Sequence, residues 1–290
     1  MAAQQNNKYG LNAQPSTGDV GASPAANAVA GSSSSAPPTT SPSDLVRVDF
    51  YFDVLSPYSY FAFELLLRYR GAWGLDLRLK PVFQGALISS TGNTPPAFNA
   101  AKGPYLTKDV QRQARYFEVP LAKFPPSRFQ DVLTGSIAVQ RMLVAVSVAH
   151  PDRPALLERV TRNVWQRHFG RDEDILSTES KIAALTDGTG LTLGEAQSLI
   201  DASTSPAVKA ALTANTAEAL AHGGFGVPLM VFPVSPAGAL PGVDPAGERA
   251  MLFGSDRFHV MAQMLQKEFT GPRPAGDAAA GKKRKITSRL

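Results

Sequence analysis

A strand–helix–strand pattern between residues 45 and 82 limits the possible folds of this chain most strongly. Apolar and polar residues alternate up to Phe52, which is typical of a strand that enters a core. Ser56 and Pro57 follow as a helix cap and a residue suited to the first helical position, and apolar residues then recur at helical spacing up to Gly71. A second alternating run, LDLRLKPVF, comes next. Two strands joined by a helix within about 40 residues predict a parallel βαβ unit.

The rest of the chain predicts a helical block followed by two more strands. Apolar residues recur at helical spacing in the segments 106–117, 134–149, 154–169, 179–187, 192–201 and 206–222. Two short apolar runs, VPLMVF and RAMLF, predict strands, and a final helical pattern opens with Ser255 and Asp256 as candidate caps. The predicted architecture is therefore an α/β domain in two segments, 45–90 and 221–270, interrupted by a large all-helical insertion at 91–220.

The two ends of the chain differ in composition from this body. Residues 1–44 are mostly Ser, Ala, Pro, Gly and Asn, and we expect them to be disordered because they offer almost no large apolar side chains to bury. Residues 271–290 predict a flexible basic tail, and their six basic residues and one acidic residue equal the formal charge of +5 of the whole chain. The near-neutral body argues against a nucleic-acid-binding face. No run approaches the roughly 20 apolar residues of a membrane span, so none is expected.

The chain contains no cysteine, which excludes a disulfide framework, a thiolate metal site and an internal dithiol couple. Any sulfur chemistry would therefore use a sulfur atom of a substrate. The four histidines, at 150, 168, 222 and 259, do not stand at the spacing of metal ligands, and no metal is predicted. The motifs of phosphate-binding loops and nucleophile elbows are also absent from the sequence.

A few positions have both a structural and a functional interpretation. Ser56 can simply cap the helix, or its hydroxyl can stabilise an anion at the positive end of the helix dipole. Pro228 can be an ordinary first residue of a strand, or a cis proline that exposes the backbone of Val227 to a peptide ligand. Asn93 and Lys102 flank a proline-rich loop, where turn chemistry and solvated surface are the ordinary roles.

Several stretches taken together resemble the kappa class of glutathione transferases. They are FYFDVLSPYSYFAFE (50–64), STGNTPP (90–96), KGPYL (102–106), RDEDI (171–175), GGFGVP (223–228) and LFGSDR (252–257). The resemblance spans about 45–270, and it implies a thioredoxin-like domain interrupted by a helical insertion. It also implies glutathione as co-substrate, a small electrophilic second substrate, and a homodimer.

The resemblance assigns roles to particular positions. Ser56 would be the catalytic hydroxyl that stabilises the glutathione thiolate, with Pro57 and Tyr58 beside it. The resemblance also places glutathione contacts at the backbone of Val227 before a cis Pro228, at Ser255 and Asp256 for the γ-glutamyl end, and at Asn93 and Lys102 for the glycyl end. Two alternatives stay open: a glutathione-dependent 2-hydroxychromene-2-carboxylate isomerase, and a non-enzymatic glutathione-binding protein.

The C-terminal residues predict a cellular address. Ser288-Arg289-Leu290 has the small–basic–leucine form of a peroxisomal signal, and its partner would be the peroxisomal import receptor. The basic run Lys282–Lys285 could instead serve as a nuclear signal or as a solubilising tail in a cytoplasmic protein. We expect a peroxisomal protein, because nuclear import would leave the ending SRL unexplained.

Overall fold

A four-stranded mixed sheet lies at the centre of the fold. The structure, a computed structural model, describes residues 45–234 and 249–277. The strand order is β2-β1-β3-β4, with β1 at Val46–Phe52, β2 at Leu75–Pro81, β3 at Leu229–Pro233 and β4 at Arg249–Phe253. β1 and β2 are parallel, whereas β3 runs antiparallel to both β1 and β4. The predicted βαβ unit is confirmed.

The first helix, α1 at Pro57–Trp73, connects the two parallel strands. It ends at Gly74, whose φ of 63° lies in the left-handed region where glycine has no Cβ penalty. Helix α1 is buried along most of its length because it lies against the sheet on one side and the aromatic side chain of Trp165 on another. This burial fixes the N-terminus of α1 relative to the end of β1.

The remaining helices mostly lie between β2 and β3. Their bounds are α2 Gln84–Thr91, α3 Lys102–Tyr116, α4 Phe129–Ala149, α5 Pro154–Trp165, α6 Thr178–Thr186, α7 Leu193–Ala202, α8 Pro206–Ala221 and, after β4, α9 Phe258–Met264. A 3₁₀ turn at Pro96–Phe98 precedes α3, and a π turn at Gln166–Gly170 ends α5. One hydrophobic cluster includes side chains from the sheet and from these helices.

Two helical segments of the structure differ from the prediction. Helix α2 was not predicted, because QGALISST has no helical apolar period and its helix formers Gln, Ala and Leu stand beside a glycine and a Ser-Ser-Thr end. The segment predicted as one helix over 154–169 changes to a π turn after Trp165. The predicted disorder of residues 1–44 lies outside the described residues, as does the end of the tail from residue 278.

Helix α4 is longer and more apolar than the sequence analysis allowed for. By length and composition alone it could cross a membrane, with a mean hydropathy of 1.6 over an 18-residue window, contrary to the expectation that no such run exists. Half of that window is buried, and α4 packs on α5, α7, α8 and β2, as the core helix of a soluble protein does.

Residues 271–277, which the sequence analysis assigned to the tail, continue the ordered chain. The single hydroxyl proton of Tyr69 on α1 is shared between the carbonyls of Gly271 and Arg273, at 2.9 and 3.1 Å. The Arg273 guanidinium also donates to the Glu118 carboxylate, at 2.7 Å. This part of the chain is therefore attached to the C-terminal half of α1.

Candidate active site

The turn between β1 and α1 carries the hydroxyl group of Ser56. Ser56 is the N-cap of α1, with φ −91° and ψ 115°, and its Oγ accepts a hydrogen bond from the Ser59 amide at 3.1 Å. The predicted capping role is confirmed. Capping uses an oxygen lone pair, and within the described chain the hydroxyl proton has no acceptor. Ser56 can therefore cap the helix and still donate a hydrogen bond to a ligand.

The first turn of α1 has one further free donor. Pro57 has no amide proton, and the amides of Ser59 and Tyr60 are bonded to the side chain and the carbonyl of Ser56. Among the described residues the Tyr58 amide has no hydrogen-bond partner. A free amide and the positive end of the helix dipole make this point favourable for an anion.

Two buried side chains hold the turn in place from below. The Gln140 side-chain amide on α4 donates to the carbonyls of Phe52 and Val82, both at 2.7 Å, and accepts from the Val54 amide at 3.3 Å. The indole nitrogen of Trp165 donates to the Val54 carbonyl at 3.2 Å. These bonds satisfy the backbone where β1 and β2 end, so the segment before Ser56 has little freedom to move.

The carboxylate of Asp53 is the most deeply buried charge near this turn. It is fully buried and accepts hydrogen bonds from the amides of Leu55 and Gln84, both at 3.0 Å. It thereby supports the turn and also caps the N-terminus of α2. Burial raises the pKa of Asp53 to about 6, although the two amide bonds oppose the rise. No sequence motif singles out Asp53.

A cleft of about 500 Å³ opens beside Ser56. Eight of the nine predicted site residues line it: Ser56, Pro57, Tyr58, Asn93, Val227, Pro228, Ser255 and Asp256. The ninth, Lys102, is an exposed residue at the start of α3 and does not line the cleft. The side-chain amide of Asn93 donates to the Phe225 carbonyl at 2.8 Å, so Asn93 joins the loop after α2 to the segment before β3.

The Val227-Pro228 peptide bond is cis, as the resemblance led us to expect. The Pro228 carbonyl accepts a hydrogen bond from the Gly254 amide at 3.0 Å, which continues the pairing of β3 with β4. Within residues 45–234 and 249–277, neither the amide nor the carbonyl of Val227 has a hydrogen-bond partner. Both groups are therefore available to an extended backbone that lies along the cleft.

A chain of side-chain hydrogen bonds crosses the cleft lining, and the sequence analysis missed its two central members. The Tyr58 hydroxyl donates to Asp109 Oδ2 at 2.7 Å, and Gln113 Nε2 donates to the same oxygen at 2.8 Å. The Ser255 hydroxyl in turn donates to Gln113 Oε1 at 2.9 Å. The chain joins α1, α3 and the segment after β4. No sequence motif singled out Asp109 or Gln113, because only the packing of helix α3 brings these two side chains to the cleft.

Ser255 and Asp256 do not cap α9, which corrects the prediction made from the sequence. Helix α9 begins at Phe258, its N-cap position is Arg257, and that residue makes no side-chain cap bond. Gly254 turns the chain with a φ of 94°, and the Ser255 hydroxyl is bonded to Gln113. Both residues therefore face the cleft instead of the helix they were expected to start.

Two parts of the lining differ in their chemistry. We call the first the polar lining, and it consists of Ser56, Tyr58, Asp109, Gln113, Ser255 and Asp256. We call the second the apolar lining, and it consists of Phe83, Ile88, Pro95, Pro96, Phe98, Leu106, Phe124, Phe129 and Leu133.

The charges on the cleft lining have a single sign. Three acidic residues, Asp53, Asp109 and Asp256, line the cleft, whereas no Lys, Arg or His of the described residues does so. An anionic atom bound beside Ser56 would therefore depend on the hydroxyl and the helix terminus instead of on a cation. Residues 45–234 and 249–277 contain no group of three or more histidine and acidic side chains placed to hold a metal ion.

Comparison with known proteins identifies the family. The model of the DsbA-like thioredoxin domain matches residues 47–266. The human glutathione S-transferase kappa 1 is 34% identical over 228 residues, which cover 78% of this chain and 94% of the human protein. The chain belongs to the kappa glutathione S-transferases of the DsbA-like thioredoxin family. The predicted fold, a thioredoxin-like domain with a helical insertion, and the predicted enzyme class are thus confirmed.

Relatives of this kappa-family chain also include the 2-hydroxychromene-2-carboxylate isomerases. The isomerase of Pseudomonas sp. (strain C18) is 37% identical over 83 residues, which cover 28% of this chain and 39% of the isomerase. The solved structure of a 2-hydroxychromene-2-carboxylate isomerase matches with a TM-score of 0.59 and 23% identity, covering 76% of this chain and 94% of that one. The structural match supports the shared fold.

Proposed function

We propose that this enzyme binds glutathione in the cleft and stabilises its ionised thiol by a hydrogen bond from the Ser56 hydroxyl. The glutathione thiolate then attacks a small electrophile. The observation that carries the proposal is the arrangement at the start of α1. A buried hydroxyl whose proton has no acceptor lies beside a free amide at a helix N-terminus. The chain has no cysteine, so the reacting sulfur must come from a substrate. Human and nematode relatives named glutathione S-transferase kappa support the choice of thiol.

Thiolate stabilisation accounts for a large part of the proposed activation. A hydrogen bond from Ser56 and the dipole of α1 favour the charged form of a thiol. Lowering a thiol pKa from about 8.5 to about 6.5 raises the ionised fraction at pH 7 from roughly 3% to roughly 75%. The sulfur lone pair then forms the new carbon–sulfur bond, the electrophile's leaving group or acceptor atom takes the displaced electron pair, and the thiol proton passes to solvent.

The rest of the cleft would hold and orient the two substrates. The free amide and carbonyl of Val227 would pair with the backbone of glutathione, with its γ-glutamyl end at Ser255 and Asp256. Its glycyl end would extend towards Asn93, which lines the cleft, and towards Lys102. The contact with Lys102 stays a prediction from the family resemblance. The apolar lining would receive an apolar electrophile, as expected of an enzyme that detoxifies such compounds.

Replacing Ser56 by alanine tests the proposal directly. Loss of one positioned donor to a developing charge typically lowers turnover by about 10²–10³. We expect kcat to fall by that factor while the glutathione Kd changes only a few-fold, because the other contacts remain. The matched control is Ser177→Ala, which removes the cap of α6 outside the cleft. An alanine variant at Ser56 that keeps full turnover but is less stable by about 1 kcal/mol would mean that Ser56 only caps the helix.

The isomerase similarity supports a second candidate function, a glutathione-dependent isomerisation of 2-hydroxychromene-2-carboxylate. One preparation assayed for glutathione conjugation and for this isomerisation decides between the two. Conjugation without isomerisation supports the transferase, and much more efficient isomerisation supports the alternative. Glutathione binding with neither activity would indicate a non-enzymatic binding protein.

Assembly and location are further parts of the proposal. We infer a homodimer from the family resemblance, and sedimentation of the purified chain tests it. We infer import into peroxisomes from Ser288-Arg289-Leu290, which lie outside the described residues. An N-terminal fluorescent fusion should give puncta that become diffuse when this tripeptide is deleted. Nuclear fluorescence that survives the deletion and is lost with Lys282–Lys285 would favour nuclear import instead.

A further inference from the structure

A second cavity, of about 420 Å³, lies where β2 forms the edge of the sheet. The corner between α4 and α5 forms its opposite wall, and the described residues that line it differ from those that line the cleft. We call it the edge hollow, and the lining residues that matter here are Arg47, Leu77, Arg78, Leu79, Lys80 and Leu157. We propose that the edge hollow binds a small organic anion with an apolar body, such as an aromatic carboxylate. The inference does not depend on the proposed binding of glutathione.

The backbone of β2 has unused donors on the side that borders the hollow. Alternate residues of a strand bond to its parallel neighbour. The Val82 amide donates to β1, so the residues of β2 at even numbers face β1 and those at odd numbers face outward. The outward carbonyl of Pro81 accordingly accepts from the Asn215 side chain on α8, at 3.0 Å. Along the described chain, the outward amides of Leu77 and Leu79 have no hydrogen-bond partner.

Three cations line the hollow beside these amides, and each retains free donors. Arg47 and Arg78 both use Nε and Nη2 on an aspartate of their own strand. As far as the structure describes the chain, Nη1 of each guanidinium has no partner. Lys80 donates to the Glu218 carboxylate at 2.7 Å, which uses one of the three protons of its ammonium group. The carboxylates that pair with these cations lie outside the lining, so the free donors remain for an anion in the hollow.

The charge of the hollow is opposite to that of the cleft. Among the described residues, its one acidic lining residue is Glu158, and the Arg70 guanidinium donates to that carboxylate. Three cations and one paired carboxylate therefore line the hollow, whereas three acidic residues and no described cation line the cleft. An anion is attracted to the hollow and repelled by the cleft.

The size and the walls of the hollow favour a small molecule over a polypeptide. Its volume lies in the range of ligand sites, and the Leu157 side chain supplies apolar surface from α5. An added strand would need a longer open edge, but α8 covers the edge at Pro81, which has no amide proton. Pairing of two copies along β2 would bring the like charges of Arg78 and Lys80 close to those of the second copy.

Calorimetric titration of the full chain with 2-naphthoate tests the inference. We expect saturable binding in the wild type. Arg78→Gln should weaken it roughly tenfold, the effect of one charge-assisted hydrogen bond, and should leave glutathione turnover unchanged. Arg159→Gln is the matched control, since Arg159 is an exposed cation of α5 outside the lining, and it should keep the wild-type affinity. A wild type without saturable binding overturns the inference, as does a folded Arg78→Gln protein with unchanged affinity.

Backbone-amide NMR of the same titration locates the bound anion. The amide signals of Leu77 and Leu79 should shift with 2-naphthoate, and they should shift far less with 2-naphthamide, which has the same rings without the charge. A shift at the Tyr58 amide that leaves both β2 amides unchanged would place the anion in the cleft and overturn the inference. Sedimentation of Arg78→Gln should match that of the wild type. A changed oligomeric state would mean that this edge joins two copies of the chain, which also overturns it.

Discussion

The polar and the apolar lining of the cleft are held in place in different ways. Four members of the polar lining, Tyr58, Asp109, Gln113 and Ser255, are joined by directional bonds of 2.7 to 2.9 Å between three parts of the fold. The apolar lining comes from the chain between β2 and the start of α4, where side chains such as Phe83 and Leu133 are held by packing. Directional bonds suit a ligand that is always the same, whereas an apolar surface without fixed donors accepts ligands of varied shape. Under the proposed function, the polar lining would hold glutathione and the apolar lining would hold the electrophile.

The strongest test of the rigid support under the polar lining is the pH dependence of stability. The pKa of Asp53 is about 6 in the folded protein and 3.8 is its ordinary value. Between these values the folded state holds a proton that the unfolded state has lost, so the free energy of unfolding falls as pH rises. The group's contribution is complete below pH 3.8, and its loss up to about pH 6 amounts to about 3 kcal/mol. Urea unfolding of Asp53→Asn should lack this dependence.

Asp201→Asn is the matched control for that measurement, since Asp201 is exposed on α7 and lies outside the cleft. It removes a carboxylate from the surface without touching the turn. If the unfolding free energies of wild type and Asp53→Asn have the same slope between pH 4 and 6, Asp53 does not titrate as a buried group. The account of the turn would then be wrong.

Variants of the two charged residues proposed to contact glutathione should give the next largest effect. Asp256→Asn removes a carboxylate that lines the cleft, and we expect glutathione affinity to fall by about 1.5–3 kcal/mol. The exposed pair of Asp256 with Arg257 contributes little to stability, so the fold should be unaffected. Lys102→Ala should weaken glutathione binding less, because Lys102 lies outside the lining.

Calorimetry of glutathione binding to these variants shows which of the two residues belongs to the site. Lys108→Ala is the control on the same helix as Lys102. Equal losses for Lys102→Ala and Asp256→Asn would extend the lining to Lys102. Unchanged affinity in both variants would remove the two residues from the site.

The polar lining was partly predictable from the sequence because several of its members lie in local motifs. Ser56 follows a strand and precedes a helix, and the resemblance placed Ser255 and Asp256 at the ligand although their capping role was wrong. Asp109 could not be found in this way, because it meets Tyr58 from 51 residues away. Gln113 likewise meets Ser255 over 142 residues. Such pairs depend on the packing of α3, which local patterns do not specify.

Helix α2 shows the same limit for the fold. Its residues show no helical apolar period, and the carboxylate that caps it belongs to Asp53, 31 residues earlier. Apolar periodicity found most of the other helices because their buried faces repeat along the chain. Local patterns therefore indicate the elements that are stabilised locally, and they do not reveal a helix whose cap comes from a distant residue.

The smallest expected effect tests the apolar lining. Leu133→Ala shortens a side chain that lines the cleft, and the lost apolar contact should raise the KM for an apolar electrophile about five- to tenfold. Glutathione affinity should stay unchanged. Ile137→Ala is the control, because Ile137 lies one turn later on α4, packs against the core and does not line the cleft. If the glutathione Kd rises together with the electrophile KM in Leu133→Ala, the two linings do not bind separate substrates.

The ionisation of bound glutathione is the most direct test of the central claim, that the Ser56 hydroxyl stabilises the thiolate. Ultraviolet absorbance of the thiolate, followed as pH is raised with saturating glutathione, reports the pKa of the bound thiol in the wild type and in Ser56→Ala. We expect a pKa about two units below the free value of about 8.5 in the wild type, and a value close to the free one in the variant. Equal pKa values in the two proteins would contradict the claim.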